Sequence, residues 1–284
     1  MSVVSPGSGA QNRPLRIASF GEVLFDIFDD GAHLGGAPLN LAVHLHRLGA
    51  ESILVSAIGR DALGDAAIQA IDAEGLSVDH VARVPQPTGS VTVSLDEKKI
   101  PTYHFLSDCA YDYIPVPEID MSMLDLFCFG TLAQRGEESR NTLRRLLDNA
   151  SCKVFCDVNL RQDFYSREIL EYSLSAADIV KLNDDELPVI ASMFGLESES
   201  GAVAKRFGLE MLILTLGPAG CEIWHEGRKI ASPAYPANVV STVGAGDAFS
   251  ASFLFHYLSG HRIETAAAAG NRLAAEVASI PGAF

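Results

Sequence analysis

The stretch Ser241-Thr-Val-Gly-Ala-Gly-Asp-Ala-Phe249 holds the residue types best suited to moving a charged group. Gly244, Ala245 and Gly246 carry almost no side chain and stand just before a predicted helix. Their backbone N–H groups can approach an anion closely, and the start of a helix adds favourable partial charge. Such a cradle suits the charge that builds on a phosphoryl group in transit. Asp247 stands where the helix is predicted to begin. Two roles are open to it. It can be an N-cap, because Asp is a preferred cap, or a base that takes a proton from an attacking hydroxyl.

Three other stretches carry polar groups in unusual places. Gly35-Gly36-Ala37-Pro38-Leu39-Asn40 is a glycine-rich turn into a helix, with an amide on the first turn. Asp157, Asn159 and Arg161 put polar groups at every second position of a strand end. An interior strand does this where it faces a polar site. Thr215-Leu-Gly-Pro-Ala-Gly220 turns sharply after a strand. All three fall at carboxyl ends of predicted strands or at nearby helix starts, where a parallel sheet gathers its ligand groups.

The elements that position these groups follow from periodicity. Residues 15–20 form a short apolar run ending at Gly21, which predicts a buried first strand. Pro38 opens a helical pattern carrying Leu41, Leu45 and Leu48, and Gly49 stops it. A strand at 52–58 and a helix at 62–74 follow. Residues 88–95 and 102–106 then read as strands with no helix between them, which predicts a small antiparallel sheet inserted in a larger domain. Beyond 124 the alternation returns. Strands are predicted at 126–129, 154–158, 179–182 and 211–216, and helices at 137–149, 167–176 and 184–194, the last kinked at Pro188. Two short strands near 221–225 and 228–231 and two helices, 247–259 and 263–279, close the chain. Repeated βα units predict a mostly parallel sheet with helices on both faces. The expected organisation is a flexible tail over 1–14 and one domain over 15–284, with the insertion at about 81–112.

Composition narrows the function. The 284 residues suffice for one well-filled domain, and the net charge of −15 argues against nucleic acid or an anionic membrane as partner. A small anion such as ATP remains possible, held by local N–H groups and screened by Mg²⁺. Cys109, Cys128, Cys152, Cys156 and Cys221 show neither zinc nor disulfide spacing and predict the reduced thiols of a cytoplasmic protein. The eight histidines show no metal-ligand spacing. No apolar run is long enough to cross a bilayer.

With these motifs in this order, the chain resembles the PfkB/ribokinase family of carbohydrate kinases, and most of all its bacterial fructokinases, from about Ile17 to Ala283. The GG-x-P-x-N element and the T-x-GAGDAF element match the family's two signature regions. The resemblance implies a ribokinase-like three-layer α/β/α fold, with a mostly parallel central sheet and a small antiparallel β lid. It implies transfer of phosphate from ATP, with Mg²⁺, to a sugar hydroxyl. By position, Asp247 resembles the catalytic base, and Gly244, Ala245 and Gly246 the anion hole. Asp26, Gly35, Gly36, Asn40 and Arg161 resemble sugar contacts. Asn183 and Glu186 resemble the N-x-x-E element that organises Mg²⁺ and phosphate, largely through water. Thr215, Gly217 and Gly220 resemble the nucleotide-binding turn, and Asn271 falls near the position that flanks adenine. Some members pair through their lids, which makes a homodimer a candidate assembly.

Two positions depart from the family pattern. An aspartate usually precedes the threonine of T-x-GAGD and helps to bind a monovalent cation. Ser241 stands there and offers a neutral oxygen, so a need for K⁺ does not carry over. Pro281-Gly282-Ala283 still resembles the loop that lends carbonyls to that ion. Tyr111 stands where the family usually has Trp. Gly21-Glu22, Asn159-Leu-Arg-Gln162 and Ile100-Pro-Thr-Tyr-His-Phe105 resemble fructokinases, so D-fructose is the expected acceptor. A kinase for another sugar or sugar acid, such as 2-keto-3-deoxygluconate, and a catalytically weak sugar-binding member are the alternatives.

Overall fold

The computed structural model of the chain describes residues 13–28, 31–95 and 101–284. In chain order, β1 (Arg16–Phe20), β2 (Leu24–Phe28) and β3 (Gly31–Gly35) lead into α1 (Ala37–Arg47). Next come β4 (Glu51–Gly59), α2 (Ala62–Ala73), β5 (Val81–Val84), β6 (Gly89–Leu95) and β7 (Pro101–Phe105). Then follow β8 (Leu126–Gly130), α3 (Glu137–Asp148), β9 (Lys153–Asp157), α4 (Arg167–Ala176), β10 (Ile179–Asn183), α5 (Glu186–Phe194) and α6 (Ser200–Phe207). The chain closes with β11 (Met211–Thr215), β12 (Cys221–His225), β13 (Arg228–Ser232), α7 (Ala245–Leu258) and α8 (Ile263–Ala278).

Nine strands form one sheet in the order β13-β12-β11-β10-β9-β8-β1-β4-β5. All its pairs are parallel except those of β12. Alternation along the strands decides which helices cover which face. Ile17, Cys128, Phe155, Ile179 and Ile213 point to one face, where Leu45 of α1, Phe249 and Phe253 of α7 and Ala267 of α8 pack on them. Ala18, Phe127, Val154, Val180 and Leu212 point to the other, under Leu143 of α3, Leu170 of α4, Ile190 of α5 and Val203 of α6. Each of the Val, Leu, Ile and Phe side chains among these stabilises the fold by about 1.5–3 kcal/mol. This is the expected three-layer α/β/α arrangement.

The second sheet runs β3-β2-β6-β7. Its membership differs from the expected insertion at 81–112. Residues Val81–Val84 form β5 and pair in parallel with β4 in the large sheet. Half of the small sheet comes instead from the hairpin β2–β3, and β2 pairs in parallel with β6. Two five-residue strands joined locally gave no clear periodic signal, and their third partner lies some sixty residues away in sequence.

Smaller corrections have local causes. Residues 1–12 of the expected tail lie outside the described residues, but Arg13 is already anchored, with Nη1 and Nη2 each donating to Asp125 at 2.9 Å. Pro188 is the third residue of α5, where its missing N–H has no helical partner to lose, so it does not kink the helix interior. The helix α6 is short and was not expected. All five cysteines are free. Burial pushes the thiols of Cys109 and Cys221 up to about 12 and about 11, which keeps them unreactive.

The segment leaving the small sheet is pinned by one buried ion pair. Arg135 donates to Asp112 through Nε at 2.8 Å and Nη2 at 3.0 Å, and Nη2 also reaches the Leu106 carbonyl at 2.6 Å. Its guanidinium lies 4.6 Å from the centre of the Tyr111 ring and 4.8 Å from that of Phe164. Both side chains of the pair are about nine-tenths buried. Removing one partner of such a pair leaves the other charge without compensation. Arg135→Met is therefore expected to lower stability to urea by about 3–5 kcal/mol. A loss under about 1 kcal/mol would contradict this role.

Candidate active site

The carboxyl ends of β1, β8 and β9 meet the first turns of α1 and α7. A cavity there is lined by Ser19, Glu22, Thr131, Asp157, Asn159 and Asp247. The start of α7 settles the first question about Asp247. Gly244 is the N-cap, with φ 76°, and no side chain caps the helix. A β-carbon on Gly244 would lie 2.5 Å from that of Ala283, so only glycine fits. Asp247 is then the third helical residue, and its carboxylate is free for other work. Asn40 Nδ2 donates to Asp247 Oδ2 at 2.7 Å, while Asn40 Oδ1 is buried without a partner.

The turn before α1 is equally constrained. Gly36 has φ 120°, and a β-carbon there would sit 2.3 Å from the Glu22 carbonyl oxygen. That approach lets the Ala37 N–H donate to Glu22 Oε1 at 3.3 Å. The hairpin β2–β3 sets Asp26 opposite His33, and Gly35 leaves room beside its carboxylate. Arg161 is exposed and carries favourable charge to Asp26, Glu22 and Asp247.

The electrostatics are unusual. Burial pushes the Asp247 carboxyl from 3.8 up to about 7, and the negative Asp157 adds to this; the Asn40 hydrogen bond, Lys181 and Arg161 oppose it. Burial likewise raises Glu22 from 4.5 to about 7, with Asp247 adding to the effect. Asp26 is raised by burial against the pull of Arg161 and His33. Both acids can therefore exchange a proton near neutral pH within one cleft.

The remaining expected residues form a second group. Thr215 lies opposite Asn183 in the β10–β11 register, and its Oγ1 donates to the Leu182 carbonyl at 3.3 Å. Asn183 Oδ1 accepts from the N–H of Glu186 at 2.9 Å. Both Glu186 oxygens are engaged, Oε1 by the Leu160 N–H at 2.8 Å and Oε2 by the Asn183 N–H at 2.9 Å. Residues 217–219 make one tight helical turn, closed as the Leu216 N–H donates to the Gly220 carbonyl at 2.8 Å. Asn271 is buried, and its Nδ2 is spent on Ser232 and Pro233 behind that turn. Ser241 Oγ accepts from the Val243 N–H at 3.2 Å, and the Ala283 carbonyl is held by His44 Nε2 at 2.9 Å. No cluster of three or more metal-ligating side chains exists among the described residues.

Sequence reasoning missed the inward turn of Glu22 and the partner of Asp157. Glu22 entered only as part of a resemblance, because nothing in the sequence reveals that its side chain turns inward. Lys181 and Asp157 form a buried ion pair, with Lys181 Nζ 2.9 and 2.8 Å from the two carboxylate oxygens. They are neighbours only through the β9–β10 register. The available signal was a charged residue near the end of each of two adjacent apolar strands.

Residues 12–283 match the family described as pfkB family carbohydrate kinase. A fructokinase of Klebsiella pneumoniae is 31% identical over 259 residues, 84% of this chain and 83% of the relative. The structure of an uncharacterized sugar kinase from Pyrococcus horikoshii in complex with ATP is 29% identical, with a TM-score of 0.82 over 94% of this chain and 93% of the other. A fructokinase with bound ATP from Xylella fastidiosa, 22% identical, shares the fold with a TM-score of 0.86 over 95% and 94%. The chain belongs to the pfkB carbohydrate kinase family.

The raised acids couple the site to stability. Asp247 and Glu22 bind protons more tightly in the folded protein than in the unfolded chain. Their stabilisation is full below the ordinary values of 3.8 and 4.5 and is lost as pH rises through about 7. Asp247→Asn is expected to raise the thermal unfolding midpoint of ligand-free protein at pH 8 and to raise it by less than half as much at pH 5, because the loss accumulates between 3.8 and about 7. Calorimetry checks this, and equal shifts at both pH values would contradict it.

Proposed function

We propose, from the chain's place among the pfkB carbohydrate kinases, that it transfers the γ-phosphoryl group of ATP to a hydroxyl of a hexose, with D-fructose the acceptor. The observation that carries this reading is the Asp247 carboxylate. It sits in the first turn of α7, beside Gly244–Gly246, and is tuned to about 7. In the reaction, Asp247 takes the proton of the sugar hydroxyl as its oxygen bonds to the γ-phosphorus. The bond from that phosphorus to the bridging oxygen breaks, and ADP leaves. The N–H groups of Gly244, Ala245 and Gly246 meet the charge on the migrating group. Asn40 orients Asp247 and, through its unpartnered Oδ1, accepts from a sugar hydroxyl. Asp26, Gly35, Gly36 and Arg161 complete the sugar side. The sheet β3-β2-β6-β7 is the lid that excludes water from it.

The nucleotide lies along Asn183, the turn from Thr215 to Gly220 and the segment before α7. Val239, Val240 and Val243 are exposed there, an apolar surface of the kind a purine ring covers, and the Val240 N–H is fixed to the Ala278 carbonyl at 2.8 Å. Asn271 shapes the Ser232–Pro233 wall of the same region. Mg²⁺ would arrive with the nucleotide and neutralise phosphate charge. Glu186 fits that role through water, because both its oxygens already accept backbone N–H groups. Ser241 offers no carboxylate to a monovalent cation.

The fructose assignment is supported by relatives named fructokinase. One feature favours a second acceptor: Arg161, exposed at the rim, would also suit the carboxylate of a sugar acid such as 2-keto-3-deoxygluconate. Exposed Phe28 and Tyr103 on the small sheet support a homodimer formed through it.

Release of ADP from Mg²⁺-ATP across a panel of sugars is expected to be fastest with fructose. Turnover of deoxygluconate without fructose would transfer the assignment to the sugar acid. No turnover with any sugar would leave a sugar-binding protein. Asp247→Asn is expected to lower kcat by about 10²–10⁴-fold with little change in KM. Retention of more than about a hundredth of the rate would argue against a base at this position.

A further inference from the structure

Beneath the glycine turn lies the pair Asp157–Lys181. Asp157 ends β9, Lys181 stands in β10, and the parallel register sets them side by side. Strand alternation sends both toward α7, as Phe155 and Ile179, two residues earlier on each strand, already pack on that face. The side chains of Lys181 and Asp157 are 9% and 14% exposed. The Lys181 ammonium lies 3.6 Å from where a β-carbon on Gly246 would stand. One turn further along α7, Ser250 Oγ lies 3.3 Å from Asp157 Oδ2 and 3.0 Å from the Gly246 carbonyl. The pair is the floor on which the first turn of α7 rests.

A buried ion pair adds little net stability over apolar side chains of similar volume. Phe155 and Ile179 show that apolar residues fill the same layer. A need for support alone does not account for two charges at this depth. We propose that Lys181 and Asp157 are positioning residues for phosphoryl transfer. Lys181 seats the glycine turn, and the two together set the charge that Asp247 meets from below. The proposal rests on the reading of Asp247 as the base.

The groups that face Asp247 come from every side of the cleft. Asp157 faces it from β9, Lys181 from β10, Arg161 from the segment after β9 and Glu22 from the segment after β1. The neutral Asn40 donates to it from α1. Glu186 of α5 faces Lys181. Asp157 and Glu22 disfavour the negative charge on Asp247, and Lys181 and Arg161 favour it. Loss of Lys181 would leave Asp157 uncompensated beside the base. Loss of Asp157 would leave the ammonium free to act on it.

The test is the pH dependence of kcat/KM for wild type, Lys181→Met, Asp157→Asn and the double variant, using the best sugar from the panel. Lys181→Met is expected to lose at least about tenfold in kcat with KM for the sugar within about threefold. Its acid limb should move up by about one pH unit, and that of Asp157→Asn down by a similar amount. The double variant should return to within about half a unit of wild type. Limbs that stay at the wild-type position in the single variants, or a double variant no nearer to wild type, would overturn the proposal. Asp157→Asn alone decides the matter if Lys181→Met does not fold. If wild type turns over no sugar, the functional reading fails, and the coupling is read from stability. Asp247→Asn should then raise the unfolding midpoint at pH 8 less in Asp157→Asn than in wild type, and equal shifts would overturn the proposal.

Discussion

The Asp247 carboxylate is held where its charge is disfavoured, and much of the molecule is arranged around that fact. The half-buried carboxyl is surrounded by protein at the edge of a cavity, and Asp157 adds like charge, so the group is pushed from 3.8 up to about 7. A carboxylate of ordinary basicity would be a weak partner for a hydroxyl proton. One tuned to neutrality combines the correct protonation state with a real affinity for the proton. The same burial costs stability at neutral pH. It persists because the surroundings are fixed by larger forces, chiefly the apolar layers under α1, α7 and α8.

Several distant parts of the chain meet to hold this position. Gly244 starts α7 only because nothing projects from it into Ala283, near the last residue of the chain. Ala283 in turn is fixed by His44 of α1, and Arg47 of α1 lies 5.7 Å from the Phe284 ring centre. The helix that lends Asn40 to the base therefore also anchors the end of the chain. On the sugar side, Gln162 Nε2 donates to the Tyr103 carbonyl at 2.6 Å, and Phe105 meets Phe164 edge-on at 5.5 Å. These contacts join the strand β7 of the small sheet to the segment that carries Arg161. On the proposed reading, movement of the lid and placement of Arg161 are mechanically linked.

Much of this was legible in the sequence where the cause is local. Glycines at 244 and 246 before a helix, the turn at 35–36 and the polar alternation from Asp157 to Arg161 are short-range patterns with short-range reasons. The βα repeats followed from apolar runs and their helical stops. What escaped depends on register and long-range pairing. The hairpin β2–β3 is stable as part of a sheet with β6, so its own residues say little. Asp157 and Lys181 meet because two parallel strands align them, a fact no spacing along the chain encodes. Glu22 entered only through a resemblance, and its burial depends on the close approach of Gly36 to its carbonyl, which no local pattern encodes.

The central claim is that burial makes Asp247 a base at neutral pH before any ligand binds. The most direct measurement is the titration of its side-chain carboxyl carbon by ¹³C NMR in ligand-free protein, assigned by its loss in Asp247→Asn. A midpoint at about 7 is expected. A midpoint near the ordinary 3.8 would contradict the claim.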